Sequence, residues 1–333
     1  MIQERNYTID ILRLLMALLI VALHCNVLAE YSAIASYIPS QILSRLGVPF
    51  FATVAGYYFF LNEKTEKYSL TLRKYVETYT IWSILYFIYE LVLDNKIGGG
   101  IVWHMVKVYL FTGFYHLWYM LAIIYTILLL WCLKKVNNIT KYVYRLSFVF
   151  LLIGIAMFGY GKFFFKNSFV QRTIGLINQN VNMQSQWLFL VVPFFMLGYG
   201  IKKWKKSALL SQLYERCEIW VVIIGAVYII EVIVLQFFDW MNNTTLCLTT
   251  YPLILILMLY SIKHPHIGNK KVANYCSKIA AFIYFSHICF ILIFQKIGFS
   301  ETPTYLLTIL ISGALGLCIV KKNTYILNMK FYI

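Results

Sequence analysis

Asp10, Arg13 and His24 interrupt the first long apolar run of the chain, which extends from Ile9 to Glu30. At about 100° of rotation per helical residue, Asp10 and Arg13 lie on neighbouring edges of one face. His24, eleven residues after Arg13, returns to within about 20° of it. At a rise of about 1.5 Å per residue, the guanidinium and the imidazole stand about 16 Å apart along the axis, one near a membrane face and the other past the middle. Ionisable side chains are expensive at that depth, so this stripe is expected to face protein or water and not lipid. A histidine there can act as a general base near neutral pH or carry an acyl group itself, with a neighbouring charge to tune it. Asp10 and Arg13, three apart on one helix, can pair and so hold the guanidinium toward an anionic ligand.

The elements that position these groups follow from composition. With 61% hydrophobic and 13% charged residues and a mean hydropathy of +0.72, the chain is far more apolar than a soluble domain, which carries about 25% charged residues. The fold class is an all-α integral membrane protein. Windows of about 19 residues pick out apolar segments at 8–29, 47–62, 75–94, 117–133, 146–164, 187–201, 219–238, 245–262, 279–297 and 305–320. These predict about ten transmembrane helices in one bundle, a single domain over 1–333 with no separate soluble domain. Any chemistry must then sit within the bundle or at a membrane face. Asp10 and Arg13 inside the first run, with further spans behind it, favour a retained helix over a signal peptide.

The net charge of +16 raises the possibility of a nucleic-acid partner, but the basic residues are distributed by side. With the N-terminus inside, the outer connections hold only Arg45, Lys96, Lys107, Lys166 and Arg172. Nearly all the others fall in inner connections, for example Lys134, Lys135, Lys141 and Arg145. This asymmetry is the positive-inside pattern of a multi-pass protein of the cell membrane, and it predicts both termini in the cytoplasm and no nucleic acid. The seven cysteines fall mostly inside apolar segments without C-x-x-C spacing, so they read as packing residues and no metal is expected.

Other polar residues mark the apolar segments. Gly47-Val48-Pro49-Phe50-Phe51 opens a short second span with a proline tolerated in the first turn and small residues that permit close helix contact. Arg73 and Lys74 stand where the third helix begins, as interface anchors or as phosphate contacts for an anionic cytoplasmic ligand. After Gly98-Gly99-Gly100, an amphipathic run from Val102 to Leu110 is expected along the outer surface. Asn and Gln in the connection 165–186 can hydrogen-bond sugar hydroxyls. His116 and Trp118 enter the fourth span, Glu90 and Glu231 lie in the third and seventh, and His287 lies halfway along the ninth. Each is a candidate substrate contact or support, against the plainer reading of an interface aromatic or a satisfied buried group.

Taken in order, Asn6-Tyr7-Thr8-Ile9-Asp10 with Arg13 and His24, Gly47-Val48-Pro49-Phe50-Phe51 with Gly56, His116-Leu117-Trp118-Tyr119, and Ile283-Tyr284-Phe285-Ser286-His287 resemble the membrane-bound acyltransferase-3 family. The resemblance implies ten helices with a cytoplasmic N-terminus. It also implies an enzyme that moves an acyl group, most often acetyl, from cytoplasmic acyl-CoA to a hydroxyl of a glycan or lipid-linked sugar at the outer face. By matching position, His24 is the catalytic histidine and Arg13 its paired arginine, while Arg73 and Lys74 fall near the family's CoA-contacting motif. There the chain departs from the pattern, with Val76 where a second arginine often stands and no proline before Trp82. The family also includes the membrane part of certain serine racemases of vancomycin resistance, associated with serine uptake. A transporter of a small polar solute is therefore the alternative, disfavoured by the missing inverted repeat. The other large family of membrane-bound O-acyltransferases fits the Arg13 to His24 spacing less well. No P-loop, G-x-S-x-G or H-E-x-x-H pattern occurs. The acyl group, the acceptor and the oligomeric state are left open.

Overall fold

The computed structural model describes residues 5–62, 67–93, 100–165, 168–180, 185–203, 207–241 and 246–321. Gly98, Gly99 and the C-terminal stretch 322–333 lie outside the described residues. The longer helices are α1 (Tyr7–Cys25), α2 (Gly47–Leu61), α3 (Lys67–Leu93), α4 (Trp118–Cys132), α5 (Ile139–Gly154), α6 (Val192–Lys202), α7 (Cys217–Phe237), α8 (Thr250–Lys263), α9 (Lys270–Ile297) and α10 (Glu301–Lys321). No strand occurs among the described residues.

Among the described residues, six stretches are long and apolar enough to cross a membrane: Tyr7–Cys25, Tyr115–Cys132, Ile139–Gly159, Cys217–Phe237, Lys270–Ile297 and Glu301–Cys318. This is a helical membrane protein, but with fewer such spans than the hydropathy windows predict. The shortfall has two causes. Helices α2, α6 and α8 have 15, 11 and 14 residues, short of the 20 or so that an isolated span needs. Helix α3 has 27 residues, but its many Tyr and Thr residues, with charges at both ends, lower its hydropathy. Helix α2 is buried on nearly every side by other helices, which supplies the apolar surroundings that lipid otherwise would.

Helix α1 is pinned at both ends. Asn6 caps it, its side chain accepting from Ile9 N at 3.0 Å and donating to Ser261 O at 2.6 Å. The Tyr7 amide donates to Pro265 O at 2.7 Å. Beyond its far end, the Leu28 amide donates to Thr302 Oγ1 at 3.0 Å and Glu30 Oε1 accepts from the Thr302 amide at 2.9 Å. One end of α1 is thus fastened to the end of α8 and the connection that follows it, and the other to the first turn of α10, on either side of α9. Helices α1 and α9 run parallel in matched register, with Arg13 opposite Ser277 and His24 opposite His287.

Helices α2 and α6 cross at a glycine pair. A Cβ on Gly198 would lie 2.2 Å from Tyr57 N, and one on Gly56 would lie 1.9 Å from Phe195 O. Only hydrogen fits, because both clashes are with backbone. Gly198→Ala is expected to destabilise the protein by about 1–3 kcal/mol, the range for overpacking, read as a lower midpoint of thermal unfolding in detergent. The conservative Ala at the open site Gly313, which meets nothing within 4 Å, serves as the control.

Candidate active site

Arg13 opens on a cavity of about 200 Å³. Helix α2 lines it with Ala55, Tyr58, Phe59 and Asn62, and α3 with Thr71, Lys74, Tyr75 and Thr78. Each set repeats at three and four residues, so one face of each helix forms a wall. Arg13 Nη1 donates to Asp10 Oδ1 at 3.2 Å and to Ser277 Oγ at 3.4 Å, and the guanidinium lies 5.4 Å over the Tyr58 ring. Asp10 also accepts from Arg5 Nε at 2.5 Å. This carboxylate between two arginines holds Arg13 in place, while Arg13 Nε is buried with no hydrogen-bond partner among the described residues. Lys74 is an exposed residue on the cavity wall. Arg73, one residue earlier, faces away and donates to Glu77 Oε1 at 2.7 Å.

A second cavity, about 190 Å³, contains His24. Ile20, Leu23 and His24 come from α1, Ser44 and Arg45 from the segment before α2, and His116, Trp118 and Tyr119 from the start of α4. Gln186, Leu190 and Tyr284 complete the lining together with Val48. His24 is exposed and lines this cavity. Its ring centroid is 5.2 Å from that of His287, which is 4.4 Å from that of His116. His287 is fully buried, and its Nδ1 donates to Tyr284 O at 2.7 Å. This leaves Nε2 without a hydrogen-bond partner among the described residues. His116 is buried with both ring nitrogens unpartnered among the described residues. It follows Tyr115, whose φ of +46° is in the left-handed region, a conformation that costs a non-glycine residue and is found where a side chain must be aimed.

The two cavities are back to back. Tyr119 lines the histidine cavity and Met120 the arginine cavity, and Tyr284 and Phe285 divide in the same way. At these points the partition is built from consecutive residues, one facing each cavity. The Tyr119 hydroxyl within it is buried without a hydrogen-bond partner among the described residues.

Residues 6–322 match the acyltransferase-3 family, by its description an acyltransferase domain. The chain belongs to this family. Two curated relatives from Enterococcus faecalis, both named amino-acid racemase, are similar to it. One is 27% identical over 203 residues, covering 60% of this chain and 28% of the relative. The other is 26% identical over 319 residues, covering 89% and 42%. The chain thus spans less than half the length of these relatives. No solved structure matches it.

In this family member the structure brings His24, His116 and Trp118 to one cavity, with His287 packed against the two histidines, and Arg13 and Lys74 to the other, with Asp10 paired to Arg13. Glu231 is placed apart. Its carboxylate accepts from Tyr160 at 2.5 Å, from the Leu248 and Thr249 amides at 2.7 and 2.9 Å, and from the Thr249 hydroxyl, bracing the approach to α8. Glu90 lies 3.4 Å from His104 Nε2. The helix Ser168–Asn180 occupies much of the stretch read from sequence as a solvated connection. Cys217, Glu218 and His264 have ligand atoms within 4.8 Å of one another, but Glu218 already pairs with Lys263 at 2.9 Å and His264 at 2.6 Å. Sequence reasoning missed Arg45 as a site residue. The signal was present, since it is one of the few basic residues of the outer connections and stands two positions before the second span.

Arg45 is positioned by a chain of small contacts. Ser40 Oγ donates to Ala22 O at 3.0 Å, Ser44 Oγ donates to Ser40 O at 2.6 Å, and the Tyr228 hydroxyl donates to Ile42 O at 2.8 Å. Together these fix the turn Leu43–Leu46 against the end of α1. Burial of the guanidinium pushes its pKa down.

Proposed function

We propose that this protein is an O-acyltransferase that takes an acyl group, most often acetyl, from acyl-CoA and places it on a hydroxyl of a glycan or lipid-linked sugar. The observation that carries the reading is the pair of cavities, one lined by Arg13 and Lys74 and the other by His24, whose walls are made in part by consecutive residues of the same segments. The arginine cavity is smaller than the roughly 300–1,000 Å³ of a whole ligand pocket. It suits the thioester end of the donor, with Lys74 and Arg13 toward its anionic parts and the nucleotide left outside. In the histidine cavity, His24 takes the proton of the acceptor hydroxyl. The oxygen attacks the thioester carbonyl, the C–O bond forms, the C–S bond breaks, and the thiolate leaves with the electron pair and is then protonated. An acyl-histidine on His24 is the two-step variant of the same transfer.

Mass spectrometry of cell-envelope glycans with and without the protein tests the reading, and a missing acyl group is the expected result. A finer test separates two neighbouring cations. Lys74→Ala is expected to raise the KM for acetyl-CoA by about tenfold, the worth of one charge-assisted contact. Arg73→Ala, whose side chain pairs with Glu77 outside the cavity, is expected to have the smaller effect. The reverse order sinks this placement of the donor.

A second reading, passage of a small polar solute, is supported by the back-to-back cavities and by the two relatives named amino-acid racemase. Loss of solute uptake on deletion, with glycan acylation unchanged, would favour it.

A further inference from the structure

The histidine cavity contains a charge that nothing neutralises. Arg45 Nη2 donates to Gln41 Oε1 at 2.6 Å, and Arg45 Nε is buried with no hydrogen-bond partner among the described residues. Every other group that faces it is neutral. The Tyr37 hydroxyl is directed at Gln236 Oε1 and the Tyr228 hydroxyl at Ile42 O. The carboxylates on this side are committed elsewhere: Glu231 to Tyr160 and the Leu248–Thr249 amides, Asp239 to Lys162, and Glu30 to Thr302. Among the described residues, no carboxylate lies within ion-pair distance of Arg45.

Arg13 provides the contrast within the same molecule. It is more fully buried than Arg45 and is matched by Asp10 at 3.2 Å. A partly desolvated cation without a counter-ion is unfavourable for the fold, and a site that keeps one suits an anion from outside. The guanidinium suits this role, since its planar fork takes a carboxylate or a phosphate through two parallel hydrogen bonds. Arg45 and His24 line the same cavity. An anion held by one therefore stands beside the hydroxyl deprotonated by the other.

We infer that the acceptor is itself anionic, with a carboxylate or phosphate near the hydroxyl that receives the acyl group, and that Arg45 binds this charge. The inference rests on the acyl-transfer reading of the histidine cavity, but the recognition of the anion is separable from the transfer.

The test uses the full chain in lipid nanodiscs with labelled acetyl-CoA and two matched acceptor pairs. Glucuronate against glucose reads a carboxylate, and glycerol 3-phosphate against glycerol reads a phosphate. In at least one pair, the charged member is expected to be the better acceptor by about tenfold or more in kcat/KM. Arg45→Gln is expected to bring the two members together, and Arg45→Lys to keep part of the difference because it keeps the charge. The pair that responds says which anion is meant.

Thermal unfolding with the same four compounds and no acetyl-CoA gives a second readout. The charged member should raise the unfolding midpoint of the wild type and of Arg45→Lys, but not that of Arg45→Gln. If no acyl group is transferred while this shift persists and depends on Arg45, the acyl-transfer reading fails and anion recognition stands. Equal behaviour of charged and neutral members in both readouts overturns the inference, as does a preference unchanged in Arg45→Gln. Should Arg45→Gln fail to fold, an Arg45→Lys protein with no preference for the charged member overturns it as well.

Discussion

His24→Ala is expected to lower kcat for acyl transfer by about a hundredfold or more, the contribution of a positioned general base, while the protein reaches the membrane in normal amount. The two halves of this expectation come from different features. The loss follows because no other histidine of the cavity can take over. His287 is fully buried beside His24, with Nδ1 committed to the Tyr284 carbonyl, and His116, although it lines the cavity, is buried against His287 with no ring nitrogen exposed. The normal abundance follows because His24 is exposed to the cavity and caps nothing, so truncation leaves no buried partner unsatisfied. Steady-state transfer from labelled acetyl-CoA, together with quantitative immunoblotting of membranes, checks both halves. Activity within a few-fold of wild type would remove His24 from the mechanism whatever its position.

Arg13→Gln is expected to raise the KM for acetyl-CoA by about ten- to a hundredfold, and Arg13→Lys to recover little of it. One guanidinium meets Asp10, Ser277 and the Tyr58 face together at the wall of the arginine cavity, and its buried Nε has no hydrogen-bond partner among the described residues. An ammonium on a flexible stem is a single point of charge and cannot hold that arrangement. The fold should survive. Asp10 keeps its 2.5 Å contact with Arg5, so the substitution leaves no isolated buried carboxylate, the circumstance that makes breaking a buried ion pair costly. A KM for acetyl-CoA unchanged in Arg13→Gln, in protein with a normal unfolding midpoint, would take the donor out of this cavity.

The pairing of Arg13 with Asp10 and its separation from His24 along one helix were legible in the sequence, because helical rotation and rise are constants of the backbone. The helical membrane class was legible for a comparable reason, since hydropathy is additive over a window. Which of the predicted spans are long enough to cross by themselves was not. Helix α2 is too short to cross by itself and lives inside other helices, and burial by neighbours is invisible to a window that sees one segment at a time. Arg73 and Lys74 show the same limit at the scale of one residue. They are adjacent cations in the sequence, but α3 turns one toward the cavity wall and the other toward Glu77.

By itself the sequence determined the chemistry available to this protein: an acid, an arginine and a histidine on one stripe of the first helix, in a chain apolar enough for a membrane. It determined these because residue type, periodicity and hydropathy are local properties. Only the tertiary structure decided what the stripe faces. The parallel register of α1 and α9 sets His287 beside His24, while consecutive residues of α4 and α9 separate one cavity from the other. The turn before α2 brings Arg45, an ordinary connecting residue in the sequence, into the wall opposite the imidazole. These are relations between segments far apart in the chain, set by how helices pack against each other, and no local property of any one segment contains them.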